Sequence, residues 1–496
     1  MEYDVTIGLE IHVQIATKTK MFCRCSADIW NKPPNSRVCP VCLGLPGALP
    51  VANEEAIEKT ILAGLSLNSE INTQTYFERK HYFYPDLPKG YQISQIQKPI
   101  CLGGVVELRD STVHLDRAHL EEDAGKLFHV KDKVASYSLI DFNRSGVPLL
   151  EIVSKPEIST PTQAAEYGRK IQQLMRYSGV SEADMEKGSL RVDANISLKP
   201  KGEPKLGTKV EVKNMNSFRS VERALLFEIE RQRNLLEKSQ TVAQQTRGWV
   251  ENQGETVLQR SKEEAHDYRY FPDPDLPLIR ISNDQVEGLK KSLPELPADK
   301  IRRFVKEFGL TIDQATIVCQ DKNVAIWYEE ALRAYSQKDT VGISLQKVDT
   351  HYGKEIYNWV TNDLLKLLAS SKQTVLDLKI LPATLAEILY LRDKGVITTT
   401  AAKTVFEKVF STELSVSQVI KDSSLQTLQD KSSLDKFADE VLAQNPEALK
   451  DYLAGKTTVM GYLIGAFRKV SRSSINPQEV ENILKEKIKN SPKATS

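Results

Sequence analysis

The chain has 496 residues, 40% of them hydrophobic and 27% charged, with a formal net charge of +1. That length exceeds what one core usually supports and predicts two to four globular domains, and the ordinary apolar content excludes bulk disorder and fibrous structure. A charge so near neutral excludes indiscriminate polyanion binding, so any nucleic-acid contact must come from local patches.

The first predicted element is a strand. In VTIGLEIHVQI, residues 5–15, Val5, Ile7, Leu9, Ile11, Val13 and Ile15 alternate with polar residues, and Glu10 and His12 share the opposite face. A half-solvated sheet face accounts for this pattern, and a ligand-bearing floor is the other reading. The acidic start MEYDVTIGLE does not read as a secretory leader, and no apolar run reaches the roughly 18 residues of a membrane span, so a cytoplasmic protein with no membrane partner is expected. In that reducing compartment, a tight cysteine group holds a metal rather than disulfides. Cys23, Cys25, Cys39 and Cys42 form C-x-C, thirteen residues, then C-x-x-C. Two close pairs converge as structural zinc requires, and four sulfurs leave no open position for chemistry. The isolated Cys101 and Cys319 read as small buried hydrophobes.

HYFYPDLPKGY, residues 81–91, predicts a loop with two proline turns, its aromatics either packed in a core or free to stack on a nucleic-acid base. In HLEEDAGKL, residues 119–127, Glu121, Glu122 and Asp123 form either an exposed turn or a set of oxygen ligands for a hard cation, with Lys126 near for phosphate. TPTQAAEYGRKIQQLMRYSGV predicts a helix capped by Thr160, opened by Pro161, apolar through Ile171, Leu174 and Met175, and stopped at Gly179. The strands LRVDANISL (190–198) and KVEVKN (209–214) set Arg191, Asp193 and Asn195, then Lys209, Glu211 and Lys213, on their polar faces. Three strands thus offer faces rich in carboxylates and cations of the kind that hold magnesium and phosphates.

After LPELPADK, residues 293–300, helical periods dominate, which predicts boundaries near residues 293 and 406. The last helix is signalled by Asn476, Pro477 and Glu479 ahead of Val480, Ile483, Leu484 and Ile488. From Pro446 onward nine Lys and Arg face five Asp and Glu, and Arg468, Lys469 and Arg472 lie close together: a solvated helix face or a phosphate-contacting tail. No P-loop, dinucleotide-binding glycine motif or protein-kinase signature occurs, so any ATP must lie on a sheet surface.

Taken in order, IGLEIHVQI, RKHYFYPDLPKGYQIS, HLEEDAGK, NRSGVPLLEIVSKPEI, GSLRVDANIS, EVKNMNSF and DYRYFPDPDLP closely resemble the B-subunit family of the aspartyl/glutamyl-tRNA amidotransferase. The match continues through LPELPADKIRRFVKEFGL and GKTTVMGYLIGAFRK. The resemblance implies an α+β fold: an N-terminal catalytic domain (1–292) with a mainly antiparallel, glutamine synthetase-like sheet and a zinc-binding insert at 23–42. Two all-α domains follow, 293–405 and a tRNA-binding tail, 406–496.

It also implies an ATP-dependent, glutamine-hydrolysing carbon–nitrogen ligase that phosphorylates the side-chain carboxylate of Glu-tRNA(Gln), Asp-tRNA(Asn) or both, then amidates the acyl phosphate. Ammonia would come from a separate amidase, the A subunit, with a small C subunit completing a heterotrimer. Under that resemblance Glu10, His12 and Glu122, with Glu151 as a fourth, are the magnesium ligands, and Lys126, Arg191, Lys213 and Arg269 contact phosphate or carboxylate. Asp193 and Asn195 would support them, and the quartet Cys23, Cys25, Cys39 and Cys42 matches a zinc site that some family members keep. Two other classes stay open: a small-molecule carboxylate–amine ligase, which needs no basic tail, and a noncatalytic zinc-bearing RNA-binding adaptor, which undiminished ATP hydrolysis in Glu10→Ala would favour.

Overall fold

The computed structural model describes residues 2–131, 136–261, 267–339, 350–412, 414–423, 425, 431–471 and 477–489. They form two compact units, Met1–Pro297 and Ala298–Ser496.

The first unit is built on a ten-stranded sheet. Its strands are β1 (Tyr3–Gln14), β2 (Glu70–Ile71), β3 (Cys101–Leu102), β4 (Val105–Glu107), β5 (Thr112–Glu122), β6 (Pro148–Ser154), β7 (Leu190–Pro200), β8 (Val210–Lys213), β9 (Gln245–Val250) and β10 (Glu255–Ser261). The spatial order is β10-β9-β8-β7-β1-β6-β5-β3-β2, with β4 also on β5. Every pair is antiparallel except β8 with β9. This is the mixed fold expected, with a sheet domain first and helices after it.

Alternation gives the sheet two unlike faces. Ile7, Leu9, Ile11 and Val13 of β1 are buried with Leu120, Leu150, Ile152, Val192 and Ala194 from neighbouring strands. Three helices cover that face: α1 (Glu54–Ser66), α2 (Pro161–Tyr177) and α3 (Phe218–Glu237). Each large aliphatic side chain so buried contributes about 1.5–3 kcal/mol relative to exposure. α2 begins as its sequence predicts, Thr160 accepting from the Gln163 N–H ahead of Pro161. Ile171 and Met175 are fully buried, and Gly179 ends the helix with φ at +71°. Cys101 is buried here too. The opposite face carries the polar residues of β1, β5, β6, β7 and β8.

The second unit is helical and holds two apolar clusters. One runs from Phe304 to Ile420 and includes the buried Cys319; the other runs from Leu434 to Ile488. The boundary expected near residue 406 falls inside the helix Thr399–Ser411, where Val405, Phe406 and Val409 are buried together. Phe406 packs edge-on against Trp359 at 5.6 Å between ring centroids, so the apolar face runs through the expected break. The change of cluster comes between Ile420 and Leu434 instead. In the last cluster Phe467 is fully buried near Phe437, while Arg468 and Lys469 are exposed. The helix Pro477–Lys489 buries Val480, Ile483, Leu484 and Ile488. Asn476 and Arg472 lie outside the described residues. Among the described residues, no helix is long and apolar enough to cross a membrane.

Candidate active site

Register assembles the site. Residues directly opposite in paired strands share a face. His12 lies opposite Arg191 on one side and Glu151 on the other, and Glu151 lies opposite His119. Arg191, His12, Glu151 and His119 therefore form one row across four strands. In neighbouring rows Glu10 faces Asp193, and Leu149 stands between Gln14 and Glu121.

His12 Nε2 is 3.5 Å from Glu151 Oε2 and 3.9 Å from Glu121 Oε1. One donor atom from each of His12, Glu121 and Glu151 lies within 4.8 Å of the others, a spacing that a single cation can bridge. An imidazole with two carboxylates fits a divalent cation, Mn²⁺ more readily than the oxygen-preferring Mg²⁺. Burial alone would raise the Glu151 carboxyl, yet His119 and His12 hold it well below the usual range. Burial likewise opposes charge on His12, and Glu151 and Glu121 raise it on balance. Glu10, expected as a ligand, lies in the next row opposite Asp193 and accepts from Asn195 Nδ2 at 2.8 Å; it is not one of the three converging donors and does not line the cleft.

Cations flank the acids. Arg191 Nη2 donates to Asp123 Oδ1 at 3.0 Å, Gln14 Nε2 donates to Asp123 Oδ2 at 3.0 Å, and Arg144 Nε is 3.6 Å from Asp123. Lys213 reaches Asp193 at 2.6 Å and Glu211 at 3.3 Å. The wall opposite is a three-stranded sheet of Phe271–Pro272, Glu78–His81 and Tyr91–Ser94, in which Lys80 pairs with Gln92. Burial works against the Lys80 ammonium, but Glu121, Tyr270 and Glu151 outweigh it and hold its pKa above the ordinary lysine value. His12, Glu121, Asp123, Arg144, Arg191, Asp193, Lys213 and Lys80 line a cleft of about 490 Å³, which Tyr82 and Asp86 also face, while Phe83 and Tyr84 are exposed.

Three residues expected here are elsewhere. Glu122 follows Leu120 to the reverse side of β5, where it pairs with Lys89 and accepts from the Ile93 N–H at 2.9 Å. Glu121 takes the place expected of it, because His119 and Glu121 share a parity that excludes Glu122. Lys126 is exposed over the Phe128 ring at 4.8 Å, and Arg269 is exposed with φ at +47°; neither lines the cleft. Sequence reasoning missed His119, Lys80 and Arg144. His119 was legible from strand parity; Lys80 and Arg144 reach the cleft only through long-range folding.

The four cysteine sulfurs also converge within 4.8 Å of one another, close to the roughly 3.8 Å separations of a tetrahedral four-thiolate zinc site. The Cys42 thiol is lowered to about 5 by its hydrogen bond from Cys23, against burial, with help from Lys20, whose Nζ is 3.7 Å away. A donor set containing a stabilised thiolate fits zinc. The loop is tied to the segment before β6. Asn35 N–H donates to Asp141 at 2.9 Å, Arg37 N–H donates to Asn143 at 2.7 Å, and Ser145 Oγ donates to the Cys42 carbonyl at 3.2 Å.

Acids and imidazoles on a sheet floor, ringed by lysine and arginine, are the features of a site that takes a divalent cation together with an anionic, phosphate-bearing ligand. The GatB/GatE catalytic domain family matches residues 5–287, and the GatB domain family matches residues 344–488. The chain is 45% identical to the aspartyl/glutamyl-tRNA(Asn/Gln) amidotransferase B subunit of Persephonella marina, over 99% of this chain and 100% of that protein. It is 44% identical to the B subunit of Carboxydothermus hydrogenoformans, over 98% of this chain and 99% of that one. The chain belongs to the amidotransferase B-subunit family.

Proposed function

We propose that this chain activates and amidates the side-chain carboxylate of Glu-tRNA(Gln), Asp-tRNA(Asn) or both, working in a complex whose A subunit, an amidase, supplies ammonia and whose small C subunit holds the two larger ones. The obstacle is chemical: a carboxylate repels nucleophiles and its oxygen leaves poorly. A carboxylate oxygen attacks the γ-phosphorus of ATP, the β–γ P–O bond breaks, and ADP departs. The resulting acyl phosphate is attacked by ammonia at its carbonyl carbon. The C–O bond then breaks, phosphate leaves, and the nitrogen loses a proton to give the amide. Such a transfer needs in-line placement and fixed positive charge more than covalent help.

His12, Glu121 and Glu151 would hold a divalent cation, Mg²⁺ or Mn²⁺, with Glu10 two residues away along β1, and the cation would neutralise charge on the transferred phosphoryl group when bound. Lys80, Arg191 and Lys213 present cations to the phosphate oxygens and to the substrate carboxylate. Zinc on Cys23, Cys25, Cys39 and Cys42 braces the loop and does no chemistry. Phe83 and Tyr84, exposed beside cleft-lining Tyr82, suit stacking on the terminal adenosine of the tRNA. Exposed Arg468 and Lys469 suit phosphate contacts along its body.

The observation that carries this reading is the meeting, in one cleft, of the His12, Glu121 and Glu151 group with Lys80, Arg191 and Lys213. The test is the reconstituted complex with glutamine and ATP, offered each misacylated tRNA in turn. Amide formation with matching ATP consumption supports the reading; a complex that cleaves no ATP with either tRNA overturns it.

A further inference from the structure

Glu151 Oε2 meets two imidazoles. His12 Nε2 is 3.5 Å away from the β1 side, and His119 Nε2 is 3.3 Å away from the β5 side. Access separates the two. The His12 side chain is 18% exposed, whereas that of His119 is 3% exposed and its Nδ1 is buried with no hydrogen-bond partner. Orphaning a buried nitrogen carries a desolvation cost that an apolar residue at this position would avoid. The return for that cost must lie at Nε2.

Two carboxylates face it: Glu151 Oε2, and Glu121 Oε2 at 3.8 Å. Glu121 Oε2 already accepts from Ser94 Oγ at 3.1 Å, which leaves its other oxygen toward His12. Glu151 needs the equivalent service. A His12 that gives its Nε2 lone pair to a cation has no proton there to donate, so the remaining imidazole N–H for Glu151 belongs to His119. We propose that His119 is a positioning residue: its Nε2–H holds Glu151 so that the carboxylate presents its remaining electron pairs to the cation shared with His12 and Glu121. This inference rests on the divalent-cation reading of that group. Ligand-orienting hydrogen bonds of this kind carry a substantial share of a metal site's affinity.

The test is Mn²⁺ binding to the purified full-length chain, followed by the paramagnetic resonance signal of free Mn²⁺, with thermal unfolding in parallel. H119L and H119N should weaken Mn²⁺ binding about 10–100-fold. H119Q, whose amide nitrogen reaches the Nε2 position, should retain most of the affinity. If H119L binds Mn²⁺ as tightly as the wild type, or if H119Q is as weak as H119N, the proposal is wrong. Should H119L fail to fold, the comparison of H119Q with H119N decides. A wild-type chain that takes up no Mn²⁺ removes the cation reading and this inference with it. Wild-type binding that H12A weakens and H119N leaves intact removes this inference alone.

Discussion

Adjacent acids on one strand make opposite predictions, because β5 sends Glu121 to the cleft and Glu122 to the reverse face. Glu122 faces Lys89 in a nearly closed environment, with side-chain exposures of 4% and 11%. Changing Glu122 to Gln keeps an acceptor for the Ile93 N–H but leaves an ammonium buried without its counter-charge. Removing one partner of such a pair costs about 3–5 kcal/mol. Changing Glu121 to Gln keeps an acceptor for Ser94 and removes one of several crowded acids, so its stability cost should stay near 1 kcal/mol. In Mn²⁺ affinity the order reverses: E121Q loses a charged donor from the group and should fall by at least about 100-fold, whereas E122Q should stay close to wild type. Urea unfolding of the full chain and Mn²⁺ titration read the two axes separately. An E122Q variant that keeps its stability and loses Mn²⁺, beside an E121Q variant that keeps Mn²⁺, would refute the facing assigned to β5.

If the proposed phosphoryl transfer runs in this cleft, Lys80→Met should slow it by roughly 100- to 1,000-fold in kcat while leaving the urea midpoint nearly unchanged, as for a cation that meets developing charge rather than braces the fold; pre-steady-state ATP cleavage checks it. Asp123 gives a pH signature. Burial would raise its carboxyl, but Arg191, Arg144 and Gln14 hold it below the usual aspartate range. A depressed folded pKa adds stability that is present above the unfolded value and disappears as pH falls through the folded one. Wild type should therefore lose more stability than D123N as the medium is acidified below about pH 4, measured by urea midpoints across pH. The double change Cys39→Ser with Cys42→Ser should abolish zinc, expected at one per wild-type chain by elemental analysis, and lower the unfolding midpoint of the first unit. A zinc-free wild-type preparation with unchanged stability would contradict the bracing role.

Much of this protein is written in local pattern. Period-two alternation around Ile7, Leu9 and Ile11 settles which face of β1 is buried, and with it that Glu10 and His12 look the other way, because a one-residue slip would drive charge into the core. Cysteine spacing marks the sulfur cluster, and capping chemistry marks the start of α2 at Thr160. Parity distinguishes Glu121 from Glu122 as well, since Glu122 shares its side of the strand with Leu120, which pairs with buried Leu150, although the resemblance pointed to Glu122. The boundary near residue 406 misled because a helix continues through a stretch whose local signals suggested a break, and only packing of Phe406 on Trp359 reveals it.

What chain order alone leaves open is which distant strands become neighbours. The row Arg191, His12, Glu151 and His119 draws on four strands, and no local rule announces that register. Lys80 reaches the cleft because a separate small sheet carries it there, and Arg144 because hydrogen bonds to the Ala124 and Gly125 carbonyls at 2.9 and 2.6 Å hold its guanidinium. Side-chain direction follows from backbone periodicity within one element, whereas proximity between elements follows from burying the apolar face of the whole sheet at once. Composition and alternation thus determine the kinds of groups available, and tertiary packing decides which of them share a cleft.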